Sequence, residues 1–466
     1  MKALLAILLA TLCALPLSAR KEKPNIILIF VDDLGYNDLS CYGSQKIRTP
    51  QLDHIARDGR RFTNFHTAAN VCTPSRAALL TACYPKRVSL HQHVLFPQSK
   101  KGLNPDEYTI AKHFQKNGYA TACVGKWHLG HYPETLPRAH GFDSYFGIPY
   151  SNDMNHPDNK KNIHAASDEA WREQSATLTK WRTPLVENED IIELPCDQRT
   201  ITRRYTDRAL AFIKENHERP FFLYLPHSMP HIPLFVPADV QDPDPQNAYT
   251  NTIEHIDAEI GRIRQHLADS GLAENTYLIF TSDNGPWIQF KHHGGSALPF
   301  RSGKGTNFEG GHRVPFLISG PGIPKNSQSD AFISALDLFP TLAELCGLPL
   351  SAPQAIDGHS LSGTLTADTP SPRRELLFYN SRGKLNGLTQ DNWKLLINPN
   401  SGPKNTTYLF DLAADPHEKN NLAADQPERL AALKKRMNEL DAELTQNQRP
   451  AWTTEQAHPW PANPLP

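Results

Sequence analysis

The chain has 466 residues, a formal net charge of −1, and 39 Pro and 26 Gly spread along its length. That length can bury a large core, as one α/β domain with an appendage or as two domains. The balanced charge argues against nucleic acid or an anionic membrane as partner, and the even spread of Pro and Gly argues against a long disordered tract.

Lys2 and the apolar run Ala3 to Leu15 lead into the small residues of "LPLSA". This reads as a signal peptide at residues 1–19, cleaved after Ala19, and the run is too short to span a bilayer. Export, to a periplasm or the exterior, is expected, with no integral membrane span. Without Cys13, six cysteines remain: Cys41, Cys72, Cys83, Cys123, Cys196 and Cys346. Their spacing contains no C-x-x-C pair, which argues against a zinc site. If Cys72 serves another purpose, an odd number is left and at least one thiol stays free.

From Pro24 onward, several apolar runs end in residues a core would not choose. "NIILIFVDD" predicts a buried strand closing on Asp32 and Asp33. "VCTPSRAALLTACYPKR" places Cys72 just before a helical run, with Arg76 four residues on. "YATACVGKWHLG" ends a strand and reaches Lys126 and His128. "RRYTDRALAFIKENH" has helical spacing, and "PFFLYLPHSMPHIP" then predicts a strand delivering His227 and His231. A second helical segment stops at Gly271, and "TYLIFTSDNG" predicts a strand closing on Asp283 and Asn284. Lys304 follows in the glycine-rich "RSGKGTNFEGG".

Runs without alternation suit strands buried on both faces of a parallel sheet, and their alternation with helices predicts an α/β fold. In such sheets ligands bind beyond the carboxyl ends of the strands, so the polar ends can converge. Asp32, Asp33, Asp283 and Asn284 offer only oxygen, which suits Ca2+ or Mg2+. A hard cation beside several basic side chains implies a substrate that is an anion with several oxygens, such as a sulfate or phosphate ester.

After "DLFPTLAELCGLPL" the pattern changes. "ELLFYN", "LNGLTQ", "NWKLLIN" and "TYLFDL" predict a short antiparallel sheet. A helix follows, with Asp425 and Glu428 as a capping box and Leu430, Leu433, Met437, Leu440 and Leu444 on one face. The expected division is a catalytic α/β domain at 24–344, an α+β subdomain at 345–448 and an extended Pro-rich tail at 449–466.

"CTPSR" fits the C-x-P-x-R pattern of the type I sulfatases, and "VDDLGY", "GKWHLG", "SDNG" and "GKGTNFEGG" resemble that family's blocks in the family's order. The resemblance, arylsulfatase-A-like, runs from Pro24 to about Ala424 and includes "LFDLAADPHEKNNLA". It implies an alkaline-phosphatase-like fold: a large, mostly parallel central sheet flanked by helices, with the smaller C-terminal subdomain. It also implies that a separate maturation enzyme oxidises Cys72 to Cα-formylglycine. The hydrated aldehyde, a gem-diol, would attack the sulfur of a sulfate ester and later expel inorganic sulfate.

On this resemblance, Asp32, Asp33, Asp283 and Asn284, with the modified Cys72, hold Ca2+ in preference to Mg2+. Arg76 holds the gem-diol, and Lys126 and His128 surround it, His128 as the base that triggers sulfate release. His231 and Lys304 meet the sulfate and leaving oxygen, and either can donate the proton. His231 is preferred to His227 because it precedes x-Pro in "HIP". "SNDMNH" resembles a substrate-facing segment, so Ser151 and Asp153, with His227 and His293, are candidate substrate contacts. His91, His93 and His292 are further candidates for the pocket rim. The expected substrate is a sulfated carbohydrate or aryl sulfate. The alternatives are a formylglycine-dependent phosphodiesterase or phosphonate monoester hydrolase, and a non-catalytic relative that binds sulfated glycans.

Overall fold

The computed structural model describes residues 23–156, 168–399 and 405–457. The expected signal peptide and residues 458–466 of the tail lie outside them. Ten strands form one sheet: β1 (Asn25–Val31), β2 (Gly59–Phe62), β3 (Ala120–Val124), β4 (Ser144–Gly147), β5 (Leu185–Glu187), β6 (Asp190–Glu193), β7 (Phe221–Leu225), β8 (Thr276–Ser282), β9 (Phe316–Ser319) and β10 (Ser327–Ser329). Their order across the sheet is β10-β2-β9-β8-β1-β7-β3-β4-β5-β6. The five central strands, β8 to β4 in that order, run parallel. Both flanks turn antiparallel, through β9 and β2 on one side and β5 and β6 on the other. The sheet is therefore mixed, with a parallel centre.

Alternate residues of β1 feed opposite faces, as a strand's two-residue period requires. Ile27, Ile29 and Val31 join an apolar cluster with helices α2 (Ile201–Glu215) and α3 (Ala248–Asp269). Ile26, Leu28 and Phe30 join one on the other face with helix α1 (Cys72–Thr81). All six side chains are fully buried. Each such burial contributes about 1.5–3 kcal/mol before entropy is subtracted, so a continuous apolar run is what a two-faced strand demands. The second cluster extends through Phe339 and Leu342 to Leu361 and Leu365.

The four predicted C-terminal strands form one antiparallel sheet: β11 (Glu375–Tyr379), β12 (Leu385–Gln390), β13 (Trp393–Ile397) and β14 (Thr407–Asp411). Helix α4 (Pro427–Gln446) covers it with Leu433, Met437 and Leu444 buried. The expected capping box does not form. The N-cap is Gln426, without a side-chain bond, and Pro427 opens the helix; proline is pre-organised for that place and lacks the N–H a cap would satisfy. The small sheet packs on Ala78, Tyr84 and Leu336, and so braces the helix that begins at Cys72. All six described cysteines are unpaired, five of them buried. No helix among the described residues is long and apolar enough to cross a membrane.

Candidate active site

The parallel centre puts the carboxyl ends of β1, β3, β7 and β8 on one edge. Asp32 and Asp33 follow β1, Lys126 and His128 follow β3, His231 lies beyond β7, and Asp283 and Asn284 follow β8. The N-terminus of α1 arrives at the same place, with Cys72 as its first residue.

Local backbone makes this convergence possible. Gly125 sits at φ 139°, where an added Cβ would lie 1.9 Å from the Pro226 carbonyl oxygen. Only glycine lets the chain turn there between β3 and Lys126. At Gly285 an added Cβ would lie 1.8 Å from the Gly310 oxygen, and its N–H donates to Gly311 O at 3.1 Å. This clamps the Asp283–Asn284 loop to the loop carrying Lys304. Asp33 (φ 63°) and His128 (φ 62°) occupy the left-handed region, which costs a non-glycine residue about 1–3 kcal/mol. Neighbours hold both: Asp33 N–H donates to Asp283 Oδ1 at 3.2 Å, and Thr73 Oγ1 donates to His128 O at 2.9 Å.

The cluster is a dense lattice of buried charge. Arg76 donates from Nε and Nη2 to Asp283 Oδ2 at 3.0 and 2.7 Å, and from Nη1 to Lys126 O at 2.9 Å. Lys126 pairs with Asp32 and donates to Ser151 Oγ at 3.2 Å. Lys304 Nζ lies 2.7 Å from Asp33 Oδ2, 3.7 Å from Cys72 Sγ and 4.3 Å from the centroid of the Trp287 ring. Cys72 Sγ lies 3.4 Å from Asp32 Oδ1. His231 donates from Nδ1 to Ile232 O at 2.6 Å, leaving Nε2 3.4 Å from Ser151 Oγ and 3.5 Å from Asp33 Oδ2. His128 donates from Nε2 to Leu95 O at 3.0 Å, and its buried Nδ1 has no hydrogen-bond partner among the described residues.

Burial sets the protonation states. It raises Asp33, and it raises Asp283 to about 7 with Asp32 adding to the effect. Asp32, though equally buried, is held well below the usual carboxylate range, chiefly by Lys126. Burial and then Lys126 and Arg76 push His128 well down, and burial and then Lys304 push His231 to about 4. Both imidazoles are neutral near pH 7. Despite burial, Lys304 is held above the usual lysine range by Asp33 and stays an ammonium. Burial, helped by Asp32, drives the Cys72 thiol far up. Without a cation in the cluster, an unmodified Cys72 is thus a protonated thiol, and the thiolate is the form that attacks.

Does this set fit a divalent cation? Asp32, Asp33 and Asp283 are crowded together with Asn284, whose buried Oδ1 has no hydrogen-bond partner among the described residues. Its amide nitrogen already donates to Asp33 Oδ1 at 2.7 Å. Asp32 and Asp33 also stand within 4.8 Å of potential ligand atoms on Cys72 and His231. Three carboxylates and an orphan amide oxygen form a hard donor set suited to Ca2+ or Mg2+. Charge agrees: Arg76, Lys126 and Lys304 pair with Asp32, Asp33 and Asp283, so a divalent ion leaves a net positive pocket for an anion.

The other candidates divide. Ser151 is buried between Lys126 and His231, and half-buried Asp153 acts electrostatically on His231. His227 is fully buried against Tyr205, ring centroids 6.1 Å apart, and neither ring nitrogen has a hydrogen-bond partner among the described residues; it is not drawn into the charge cluster. His293 pairs with His292 and Asp168 instead of the carboxylates of the cluster. His91 packs on Tyr379, and His93 is exposed. Trp287, which touches both Lys304 and His231, was not singled out by sequence. Its signal was an aromatic three residues past Asn284 in a Gly-Pro turn.

Comparison with known proteins bears on this geometry. The sulfatase family model matches residues 24–348, and the model described as N-sulphoglucosamine sulphohydrolase, C-terminal, matches 303–447. Arylsulfatase G of Rattus norvegicus is 38% identical over 403 residues, covering 82% of this chain and 72% of that protein. Arylsulfatase A of Homo sapiens is 36% identical over 458 residues, covering 91% and 89%. Among solved structures, a sulfatase from a Bacteroides thetaiotaomicron locus for metabolism of multiple glycosaminoglycans superposes with a TM-score of 0.77 at 28% identity, covering 90% of this chain and 100% of that one. The chain therefore belongs to the type I sulfatases of the alkaline-phosphatase superfamily and is a sulfuric ester hydrolase.

Proposed function

We propose that this is an exported, Ca2+-dependent sulfatase acting on O-sulfated carbohydrates through a formylglycine made from Cys72 by a maturation enzyme. The observation that carries the reading is the setting of Cys72. It opens a helix, within 3.4 Å of Asp32 and 3.7 Å of Lys304, beside the carboxylates suited to a divalent cation. A helix N-terminus flanked by lysines suits an anion in transit. Formylglycine, hydrated, would supply an oxygen nucleophile with a built-in release step. Ca2+ on Asp32, Asp33, Asp283 and Asn284 would draw charge from the sulfuryl oxygens.

The remaining side chains divide the other work. Arg76 fixes Asp283 and the Lys126 backbone, so it aligns two walls of the pocket at once. Lys126 and Lys304 flank Cys72 and hold the sulfuryl group by charge. His128 has a free Nδ1 lone pair at neutral pH and suits the base of the release step. His231 and Lys304 share Trp287 and Asp33 as neighbours and bracket the position of the leaving oxygen. Ser151 joins Lys126 to His231 and Asp153 acts on His231, so these two of the segment Ser151–His156 reach the substrate side, whereas Asn152 bonds inward to Gln198 and the Pro233 carbonyl and His156 packs on Trp181. Support for a carbohydrate comes from that polar segment and from the glycosaminoglycan locus of the structural relative.

A panel of defined sulfated sugars, 4-nitrophenyl sulfate and phosphate diesters, assayed with matured enzyme, tests the reading. Desulfation of at least one sugar supports it; turnover confined to phosphate diesters replaces it with a phosphodiesterase. Chelation is expected to lower sulfatase turnover by at least about 100-fold, with recovery on Ca2+ and less on Mg2+. Recovery on Mg2+ alone assigns the other ion.

The proton donor can be separated by leaving group. Loss of the general acid costs about 100-fold or more on a sugar sulfate, whose alkoxide leaves poorly, and far less on 4-nitrophenyl sulfate. Either His231→Ala or Lys304→Ala is expected to show that split. Equal losses on both substrates in both variants would remove general-acid catalysis by either group.

A further inference from the structure

We infer that Asp168, His292 and His293 form a second metal site, distinct from the carboxylate cluster and suited to a borderline transition ion such as Zn2+. One ligand atom from each side chain lies within 4.8 Å of the other two. Asp168 Oδ1 is 2.6 Å from His292 Nε2 and 3.5 Å from His293 Nε2. Ligands about 2.0–2.1 Å from a tetrahedral Zn2+ stand about 3.3 Å apart, so little movement is needed for a shared ion.

The observation that asks for a ligand is His293. A hydrogen bond between His292 and Asp168 would account for those two side chains alone. His293, only 4% exposed, makes no hydrogen bond of good geometry at either ring nitrogen among the described residues; the Pro245 carbonyl is its one backbone neighbour, and Nε2 faces the Asp168 carboxylate at 3.5 Å. A buried imidazole whose hydrogen bonds are this poorly formed is costly, and a metal bond at Nε2 satisfies it. Two imidazoles and one carboxylate make a nitrogen-rich set, unlike the all-oxygen set at Asp32, and that chemistry selects Zn2+ over Ca2+. The cysteines are not involved.

Both arms are anchored. Asp168 lies in the helical stretch Asp168–Arg172, in which Trp171 Nε1 donates to Asp242 O at 3.0 Å. His292 and His293 end the turn Ile288–His293, directly after Trp287. A bound ion would tie these two segments together beside the residue that touches Lys304 and His231.

The test uses full-length protein, stripped with chelator, reloaded with saturating Ca2+ and titrated with Zn2+ against a chromophoric zinc indicator. Wild type is expected to bind a tight equivalent that weakens about 100-fold or more in His293→Ala and in Asp168→Asn. Asp168 is partly exposed, so Asp168→Asn carries the test if His293→Ala does not fold. Zn2+ affinity unchanged in Asp168→Asn, or no saturable Zn2+ binding by the Ca2+-loaded wild type, overturns the site. Neither result bears on Cys72 or on sulfate turnover.

Discussion

Cys72→Ala is expected to lower sulfatase kcat by at least about 10,000-fold, since removing a nucleophile of covalent catalysis leaves only binding and electrostatic stabilisation. The fold should survive. Cys72 packs in the first turn of α1, and losing one buried sulfur costs on the order of 1 kcal/mol. Melting temperature therefore separates lost chemistry from lost structure. Wild type made without a maturation enzyme should fall to a comparable level, because a thiol at Cys72 cannot form the gem-diol. Peptide mass spectrometry across Cys72 ties activity to the modified fraction. Cys72→Ser should behave differently again, attacking once and then stalling on its sulfate ester. Full turnover by Cys72→Ala would end the formylglycine mechanism, while leaving the family assignment untouched.

Much of the candidate site was legible because a parallel sheet converts sequence position into spatial position. Once Ile26 to Val31, Phe221 to Leu225 and Tyr277 to Ser282 read as strands buried on both faces, their polar ends had to share one edge. What could not be read were features set by partners remote in sequence. Both flanks of the sheet turn antiparallel through strands as short as Leu185–Glu187, too brief to carry a period. Asp425 and Glu428 have the spacing of a capping box, yet Pro427 starts the helix and the box is not made. The guanidinium of Arg76 is shared between Asp283 and the Lys126 carbonyl, partners that lie far from it in sequence. His227 and His293 looked alike as candidate pocket histidines; one lies in the core beside Tyr205 and the other beside Asp168. Only the packing separates them.

Lys394→Met is expected to destabilise the fold by about 3–5 kcal/mol at pH 8, the cost of leaving buried carboxylates without their partner. Lys394, on β13 and fully buried, lies 2.8 Å from Glu309 Oε1 and 2.9 Å from Glu418 Oε1. Glu309 also meets His66 at 2.9 Å and Arg313 at 3.4 Å, so it keeps partners in the variant. Glu418 accepts from the Glu309 N–H at 2.7 Å but loses its only ion pair among the described residues. Burial already raises Glu418 to about 7, against the pull of Lys394. A carboxylate whose folded pKa lies above its unfolded value near 4.5 binds its proton more tightly when folded, so its contribution to stability falls as pH rises through that window. Removing Lys394 lifts the folded value further and deepens the fall. The loss should therefore be larger at pH 8 than at pH 5.5, where Glu418 is neutral, and urea midpoints at the two pH values measure it. Equal losses at both, or a loss under about 1 kcal/mol, would show that Lys394 is not what keeps Glu418 ionised. The consequence reaches the chemistry, because Glu309 opens the short helix Glu309–His312 five residues beyond Lys304, and Lys394 ties the end of the Lys304 loop to the C-terminal sheet. Sulfatase kcat in the variant should accordingly recover with the same pH dependence as the urea midpoint, once the intrinsic pH profile of wild type is divided out.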